Sequence, residues 1–382
     1  MVIKGCKTVT NIIFTFVFIG VLTGIWREAG TIPVIICYAS KLIRPSVFLL
    51  MTFLLNSMVS FLTGTGFGTA ATMGVICAEM GRTMGVNPMI TGGAAMSGIF
   101  FGDRCSPVST SAMLVAAVTD TNLYDNLKNM VKSAAVPFTL SCIIYGVMGF
   151  FLSTKGITMD MDAVFAKEFV IRPISLIPAI VILVLSVCKV PVRIAMAASI
   201  LTGVPICMVV QGDGVMRILH SAVLGFAPVD QEVAKIMSGG GIISMMKVIG
   251  IVLISACYTE FFGRTGILVG LQKLIEKVAH KTSAYIAELL TTYLIGAMSC
   301  NQSLTIILTN QLCRGFNDDK EQRALDLEDS SVIVPAIIPW SIACSVPLSV
   351  MRVPNTTVFV TFYLILILLW RSVRSLYTKK RM

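Results

Sequence analysis

Long apolar runs with almost no charge recur along the whole chain, and they constrain its fold more than any other feature. Because the hydrocarbon core of a bilayer is about 30 Å thick, a helix needs ~20 apolar residues to cross it. Only 13% of the 382 residues are charged, whereas a soluble domain carries roughly 25%. The sequence therefore predicts an all-α polytopic membrane protein with about 10–12 transmembrane segments, some of them broken or re-entrant. The same composition excludes a soluble domain, an intrinsically disordered chain, a disulfide scaffold and a nucleic-acid-binding module.

The apolar runs differ in length, and the short ones are informative. The predicted spans are Val9–Ile25, Ser46–Leu62, Ala134–Leu152, Pro173–Cys188, Ile194–Val210, Ile242–Phe262, Ala284–Cys300, Val332–Val350 and Thr356–Trp370. The pieces too short to cross as straight helices are Thr31–Leu42, Thr69–Met80, Met89–Phe101, Val108–Val118 and Leu304–Cys313. Irregular backbone at membrane depth is tolerated only where it packs inside protein or lines a wet cavity. The interruptions therefore predict discontinuous helices around a site.

Most of the basic excess lies at the ends of apolar runs. The chain has 30 Lys and Arg against 20 Asp and Glu, a formal net charge of +10. Residues 371–382 are basic, contain no acid and follow the last run, which is typical of a cytoplasmic tail. The acidic segments 153–172 and 211–241 are predicted to be external, while the orientation of the N-terminus stays open. The charge is thus attributed to topology rather than to a nucleic-acid or acidic protein partner, with an anionic-lipid site as the alternative.

Two halves of the chain have comparable contents, which predicts an inverted repeat. The first half contains T-G-T-G-F-G-T at 63–69 and G-D-R-C-S-P-V-S-T-S at 102–111. The second contains S-C-N-Q-S-L-T at 299–305 and L-E-D-S-S-V-I-V-P at 327–335. Weak internal similarity of this kind is typical of secondary transporters. The predicted parts are a first membrane repeat at 1–210, an external connecting loop at 211–241, a second membrane repeat at 242–370 and a basic cytoplasmic tail at 371–382.

An acidic residue marks the second break of the first half. Asp103 follows an apolar piece, and Gly102 and Pro107 are expected to stop the helix there and to free backbone carbonyls. Serine and threonine hydroxyls follow directly, and hard cations prefer such oxygen ligands. Because ionisable groups at membrane depth are costly and usually functional, Asp103 is the leading candidate for a cation site. The alternative is that Asp103 and Arg104 form an interfacial pair that is merely solvated.

The other breaks offer uncharged ligands. The glycines of Thr63–Thr69 let the backbone approach a ligand, although a close helix contact would use them equally well. Asn301 and its neighbours in the second half supply amide and hydroxyl groups, or form a simple turn. The candidate substrate-lining residues are Thr65, Gly66, Thr69, Arg104, Asn301, Gln302 and Ser303.

Two adjacent acids precede the last break. Glu328 and Asp329 either line the site or form the acidic first turn of a helix that begins near Ser330. Glu79 and Glu288 also fall in or near apolar runs, as do Glu260 and Lys247, and their spacing does not choose between internal pairing and proton relay. Eleven cysteines without C-x-x-C spacing and two separated histidines, His220 and His280, give no sign of a metal or redox centre.

The motifs at Gly102–Pro107 and Leu327–Trp340 resemble those of the NhaC-type Na+/H+ antiporter family, whose members carry G-D-[KR]-x-S-P-x-S and later L-E-D-S and I-P-W. The likeness is collinear from about Gly20 to about Val350 and includes W-R-E-A-G-T-I-P at 26–33. It implies a secondary transporter of the cytoplasmic inner membrane, with discontinuous helices around a central cation site. The resemblance, with the hydroxyl that follows Ser109, gives as candidate cation- or proton-binding residues Asp103, Ser106, Ser109, Thr110, Glu328, Asp329 and Ser330, and as Na+ ligands Asp103 and Asp329.

The chain departs from the family pattern at two carboxylates. Thr110 stands where the family commonly has Asp, Met113 where it has Asn, and Asn301 where it often has Asp. The leading hypothesis is a Na+/H+ antiporter that works by alternating access and has no cofactor, with Na+ and H+ as transported ions. The missing carboxylates favour the alternative, a Na+- or H+-coupled carrier of a small organic anion or amino acid held by Arg104.

Two other classes receive little support from the sequence. An intramembrane aspartyl protease would need two membrane aspartates, and the chain has F-G-D rather than the G-x-G-D of that chemistry. A membrane scaffold without transport is the other alternative. We therefore expect a transporter and not an enzyme, with the lipid bilayer and small cations as its partners, a cytoplasmic C-terminus and the question of a homodimer left open.

Overall fold

The computed structural model describes residues 2–42, 45–107, 109–152, 161–188, 190–246, 249–250, 282–316 and 319–379. Within these ranges the chain is helical, and the only pairing of extended backbone is the isolated bridge between Phe226 and Gly239. The prediction of an all-α polytopic membrane fold is confirmed. The predicted span Ile242–Phe262 lies largely outside the described residues, and so do Glu260, Lys247 and His280.

The helices of the first part of the chain are mostly shorter than a full membrane span. They are α1 (Val2–Glu28), α2 (Thr31–Leu42), α3 (Phe48–Thr63), α4 (Gly66–Thr69), α5 (Val75–Thr83), α6 (Pro88–Cys105), α7 (Thr110–Thr119) and α8 (Leu123–Leu152). A π-helical segment, Ala70–Gly74, joins α4 to α5 without a break.

The helices after α8 follow the same pattern. They are α9 (Met161–Phe165), α10 (Ile177–Val187), α11 (Val192–Ile206), α12 (Val215–Val223), α13 (Gln231–Met237), α14 (Ala284–Ser299), α15 (Gln302–Cys313), α16 (Lys320–Asp329), α17 (Ile342–Val350) and α18 (Phe362–Lys379). The segment predicted as an external loop, 211–241, therefore contains two short helices, and His220 lies on the first of them.

Few of the described helices are long enough to cross a membrane unbroken. Leu123–Phe151 and Arg193–Gln211 are, and α1 with α2 gives a third span that bends by 65°. The predicted span Val332–Val350 is wrong as a continuous helix, because turns and a 3-10 segment at Val334–Ala336 precede α17. Pro335 and Pro339 lie in that stretch and lack the N–H groups that a helix would use.

The first break is the tip of a helical hairpin. α3 ends at Gly64, whose φ of +63° is left-handed, and Thr65 is extended and caps α4 by accepting a hydrogen bond from the Gly68 N–H at 3.2 Å. The segment from α4 to α5 then runs back antiparallel to α6. Gly66 lies opposite Asp103 near the end of α6, and Gly81 lies opposite Thr91 near its beginning.

The second hairpin repeats this geometry. α14 ends at Cys300, whose φ of +53° is also left-handed, and Asn301 caps α15 by accepting from the Leu304 N–H at 3.2 Å. The hydroxyls of Ser299 and Thr305 are 2.9 Å apart, as those of Thr63 and Thr69 are 3.2 Å apart in the first hairpin. In both hairpins the second hydroxyl of the pair also donates to the backbone carbonyl of the capping residue. Thr69 donates to Thr65 at 2.9 Å, and Thr305 donates to Asn301 at 2.8 Å.

α6 packs parallel to α3 at very short range, and this contact positions Asp103. A Cβ on Gly98 would lie 2.4 Å from the Phe53 carbonyl oxygen, and one on Gly102 would lie 2.4 Å from the Phe61 nitrogen. α6 runs through Gly102 to Cys105, so the prediction that Gly102 stops the helix is wrong. Gly102 instead permits close helix packing, as small residues do in membrane proteins.

Candidate functional site

Both hairpin tips meet at the carboxylate of Asp103, in the last turn of α6. A Cβ on Gly66 of the first tip would lie 3.9 Å from the Asp103 carboxyl carbon, and the Gln302 side chain of the second tip faces the same carboxylate. Ser109 Oγ lies 3.5 Å from one carboxylate oxygen and Ser111 Oγ 3.4 Å from the other. These distances are at the outer limit of a hydrogen bond, so the serines hold Asp103 weakly.

The hydroxyls predicted to surround Asp103 have different surroundings. Ser106 Oγ donates to the Phe61 carbonyl at 2.6 Å and so joins α6 to α3. Ser109 faces Asp103 and also caps α7, while Thr110 is exposed. Ser111 was missed from the sequence. Its position, two residues after Ser109 in an N-terminal helical turn, is the signal that could have found it.

Only some of the predicted substrate-lining residues of the tips face Asp103. Gly66 and Gln302 face Asp103, and the Gln302 amide nitrogen in addition donates to the Val332 carbonyl at 2.8 Å. Thr65, Thr69 and Asn301 shape the tips through the hydrogen bonds described above. Ser303, the next residue of α15, is exposed.

Arg104 turns away from Asp103 and is fully buried beside the acids at the end of α16. Its Nη2 pairs with Asp329 and donates to Ser133 Oγ at 2.7 Å. Its Nη1 donates to the Met130 carbonyl at 3.2 Å and to the Tyr363 hydroxyl at 3.3 Å. Arg104 is thus committed to the protein interior, and not to the space around Asp103.

Glu328 and Asp329 end a helix and do not begin one. α16 finishes at Asp329, and turns follow from Ser330, so the alternative that the two acids form the first turn of a helix near Ser330 is wrong. Consecutive helical residues point about 100° apart, which gives the two carboxylates different neighbours. Asp329 pairs with two arginines, whereas Glu328 lies within the electrostatic influence of Arg104, Asp329 and Asp103 without an ion pair among the described residues.

Glu328 is the least satisfied acid of the site. Its side chain is 0% exposed, and among the described residues neither carboxylate oxygen has a hydrogen-bond partner. A buried carboxylate without partners is expensive when ionised, unless it binds a proton or a cation. Glu328 and Asp103 together form a buried pair of acids that can take up such ions.

A second group of buried charges lies next to Asp329 and was not predicted as a site. Arg371 of α18 pairs with Asp326, and its Nε lies 2.7 Å from Asp329. Glu288 of α14 accepts from Ser330 Oγ at 3.0 Å. The assignment of Arg371 to a basic tail is therefore wrong, because α18 continues to Lys379 and buries this residue.

A third buried cluster joins α1, α5 and α17 away from Asp103. Glu79 pairs with Arg27 at 2.5 Å and with Arg82 at 2.8 Å. Arg82 also donates to the backbone carbonyls of Met351 and Arg352, at 2.6 and 2.8 Å, and so holds the end of α17. The internal pairing that the sequence left open for Glu79 is the arrangement found.

We expect Glu79→Gln to lower the stability of the folded protein by about 3–5 kcal/mol, because Arg27 and Arg82 lose the carboxylate that neutralises them. Glu321→Gln is the matched control, since Glu321 is exposed on α16. Its effect should stay within about 0.5 kcal/mol. Thermal unfolding of both variants in detergent measures the difference, and equal midpoints would contradict this role of Glu79.

The sequence matches the Na+/H+ antiporter family over residues 1–117 and over residues 98–373. Together these two matches cover most of the chain. The chain belongs to the Na+/H+ antiporter family. The resemblance seen in the sequence motifs is thereby confirmed, and this member of the family is a multi-pass membrane transporter of the secondary type.

Several curated relatives are similar to this antiporter-family chain over most of its length. The "Na(+)/H(+) antiporter NhaC" of Alkalihalophilus pseudofirmus is 26% identical over 352 residues, which is 89% of this chain and 76% of the relative. The "Malate-2H(+)/Na(+)-lactate antiporter" of Bacillus subtilis is 25% identical over 351 residues, 89% of this chain and 75% of the relative. The "Arginine/ornithine antiporter ArcD" of Halobacterium salinarum is 25% identical over 350 residues, 86% of this chain and 70% of the relative.

Proposed function

We propose that this protein exchanges Na+ for H+ across the membrane, with Asp103 as the central ion-binding carboxylate. The observation that carries the proposal is the position of Asp103, where the tips of both hairpins meet. Ser109 and Ser111 bring hydroxyl oxygens to the carboxylate, and hard cations prefer oxygen ligands. Na+ is the substrate here, and no resident cofactor is part of the proposal.

Competition at a buried carboxylate couples the two ions. An ionised carboxylate attracts Na+, and a protonated one does not, so the same group carries either Na+ or H+ across the membrane. Asp103 performs this exchange directly, and Glu328 beside it is the second group that takes up a proton. Asp329 is not proposed as a Na+ ligand, because both of its oxygens already face arginines.

The relatives with organic substrates raise the question of an organic anion in this protein. Such a carrier would need a positive group in its site to hold the carboxylate of its substrate. Arg104 was the sequence-based candidate for this role, and it is 0% exposed and paired with Asp329. The geometry therefore favours small cations over organic anions as the transported species.

We further propose that the halves form an inverted repeat in the cytoplasmic membrane, with 1–210, 242–370 and the connecting segment as its parts and the C-terminus in the cytoplasm. The equal hydrogen bonding of the two hairpin tips supports the repeat. The exposed pair of Asp120 and Lys320, at 2.6 Å, joins the end of α7 to the start of α16 on the proposed cytoplasmic face. Its hydrogen bond from Lys320 lowers the pKa of the Asp120 carboxyl. The first hairpin then enters from outside and the second from inside, an arrangement suited to alternating access.

Reconstituted vesicles with an internal pH dye test the proposed exchange. We expect added Na+ to drive proton movement that K+ at the same concentration does not drive. Malate, lactate, arginine and ornithine, each supplied with K+ as the only other cation, should leave the internal pH unchanged. Equal responses to Na+ and K+, or a response that needs an organic solute, would contradict Na+/H+ exchange.

A further inference from the structure

The positive charges near the site are distributed unequally between two adjacent acids. Asp329 pairs with Arg104 through one carboxylate oxygen and with Arg371 through the other, 2.7 Å from the Arg371 Nε. Glu328, the residue before it, is 0% exposed and has no hydrogen-bond partner among the described residues. One acid thus has two arginine partners, while its neighbour has no ion pair within the described part of the chain.

Arg104 is the cation that both acids can share. It follows Asp103 in α6, and the groups that interact electrostatically with its charge are Asp329 first, then Tyr363, Cys105 and Glu328. Its Nε has no hydrogen-bond partner in the described part of the chain. The groups that act on Glu328 are Arg104, Asp329 and Asp103. A movement of the Arg104 guanidinium from Asp329 to Glu328, the adjacent residue, would therefore neutralise Glu328.

Arg371 keeps Asp329 neutralised when Arg104 moves away. The Arg371 guanidinium stays beside Asp326 and Asp329 and lies over the Tyr285 ring at 5.4 Å, while the Tyr285 hydroxyl donates to the Asp329 backbone carbonyl at 3.2 Å. If Arg104 leaves, Asp329 keeps one arginine and the Ser133 hydroxyl at 3.2 Å. Removing the only partner of a buried charge is strongly destabilising, but Asp329 has two.

We propose that Arg104 is an exchangeable internal counter-ion that competes with Na+ for Glu328. It binds Asp329 while Na+ lies beside Glu328, and it moves to Glu328 when Na+ has left. Arg371 is the positioning residue that keeps Asp329 neutralised meanwhile. This inference rests on the proposed Na+/H+ exchange and adds to it the group that displaces Na+ from the site.

If Arg104 competes with Na+, removing Asp329 should weaken Na+ binding, whereas removing Arg104 should not. In Asp329→Asn, Arg104 loses its charged partner and turns to Glu328, so we expect the KM for Na+ to rise at least ~tenfold. In Asp329→Asn/Arg104→Gln the competing cation is gone, and the KM should return to within about threefold of wild type. Na+-dependent proton flux in vesicles measures both values.

The double variant separates this competition from simpler roles of Asp329. If Asp329 were a direct Na+ ligand, removing Arg104 as well would not restore the KM, and this result would overturn the proposal. An unchanged KM in Asp329→Asn would overturn it too. If Asp329→Asn does not yield folded protein by gel filtration, Arg104→Gln alone decides. Its KM for Na+ should be equal to or lower than that of wild type, and a tenfold rise would refute the competition.

The wild-type protein separates a failure of this inference from a failure of the proposed function. Absence of any Na+-dependent proton flux in wild type would remove Na+/H+ exchange itself. Normal flux in wild type with the wrong pattern in the variants would remove only the role of Arg104. Asp125→Asn is the control for loss of a carboxylate, since Asp125 is paired with Lys128 on the exposed face of α8 and should keep the wild-type KM.

Discussion

Replacing Asp103 by Asn is expected to reduce Na+-dependent proton movement by a factor on the order of 100 or more. Asn has nearly the same shape as Asp. Its amide oxygen can still accept a hydrogen bond from one of the two serines, Ser109 and Ser111, and its NH2 group can donate to the hydroxyl oxygen of the other. What it loses is the negative charge that attracts Na+ and the ability to take up and release a proton. Both hairpin tips converge on this one group, so no other side chain of the tips can replace its charge.

The measurement is the internal pH of vesicles after addition of Na+, with equal amounts of protein in each preparation. Asp125→Asn is again the matched control, because it removes an exposed carboxylate by the same substitution. Unfolding midpoints of both variants show whether the fold is kept. Wild-type flux from a folded Asp103→Asn protein would exclude Asp103 as the ion-binding group and leave Glu328 as the candidate.

The parts of the fold that the sequence predicted are those that depend on local composition. Apolar runs predicted the helices, and the Gly- and amide-rich breaks predicted the two tips at 63–69 and 299–305. Asp103 could be found because a lone carboxylate in an apolar segment is costly wherever the neighbouring segments lie. These inferences need no knowledge of which helices are in contact.

The parts that the sequence did not predict depend on contacts between distant segments. Arg371 belongs to a basic stretch that looks like a solvated tail, and only the packing of α18 against α16 shows its pairing with Asp326 and Asp329. Glu328 and Asp329 were adjacent and looked equivalent. Helical geometry separates them, because Asp329 pairs with two arginines while Glu328 has no hydrogen-bond partner among the described residues. Gly102 was interpreted as a helix breaker, because a sequence does not reveal what packs against a missing side chain.

Gly102→Ala is expected to destabilise the protein by about 3 kcal/mol or more and to reduce transport at least ~tenfold. The added methyl carbon would lie 2.4 Å from both the Phe61 nitrogen and the Ser60 Cβ, closer than real contacts allow. Because these atoms belong to the backbone and the first side-chain carbon of α3, they cannot rotate away, and α3 must move from α6. Because α3 is part of the first hairpin, its movement separates the tip of that hairpin from Asp103, the residue that follows Gly102.

Gly146→Ala provides the matched control in α8, because its new Cβ would meet only Leu50 at an ordinary 3.9 Å. Alanine favours a helix over glycine by up to about 1 kcal/mol, so this variant should be neutral or slightly stabilised. Unfolding midpoints in detergent and Na+-dependent proton flux measure the two effects together. If both alanine variants behaved alike, the close contact of α3 and α6 would not be what positions Asp103. A loss of flux in Gly102→Ala without loss of stability would instead show that the site tolerates less movement than the fold does.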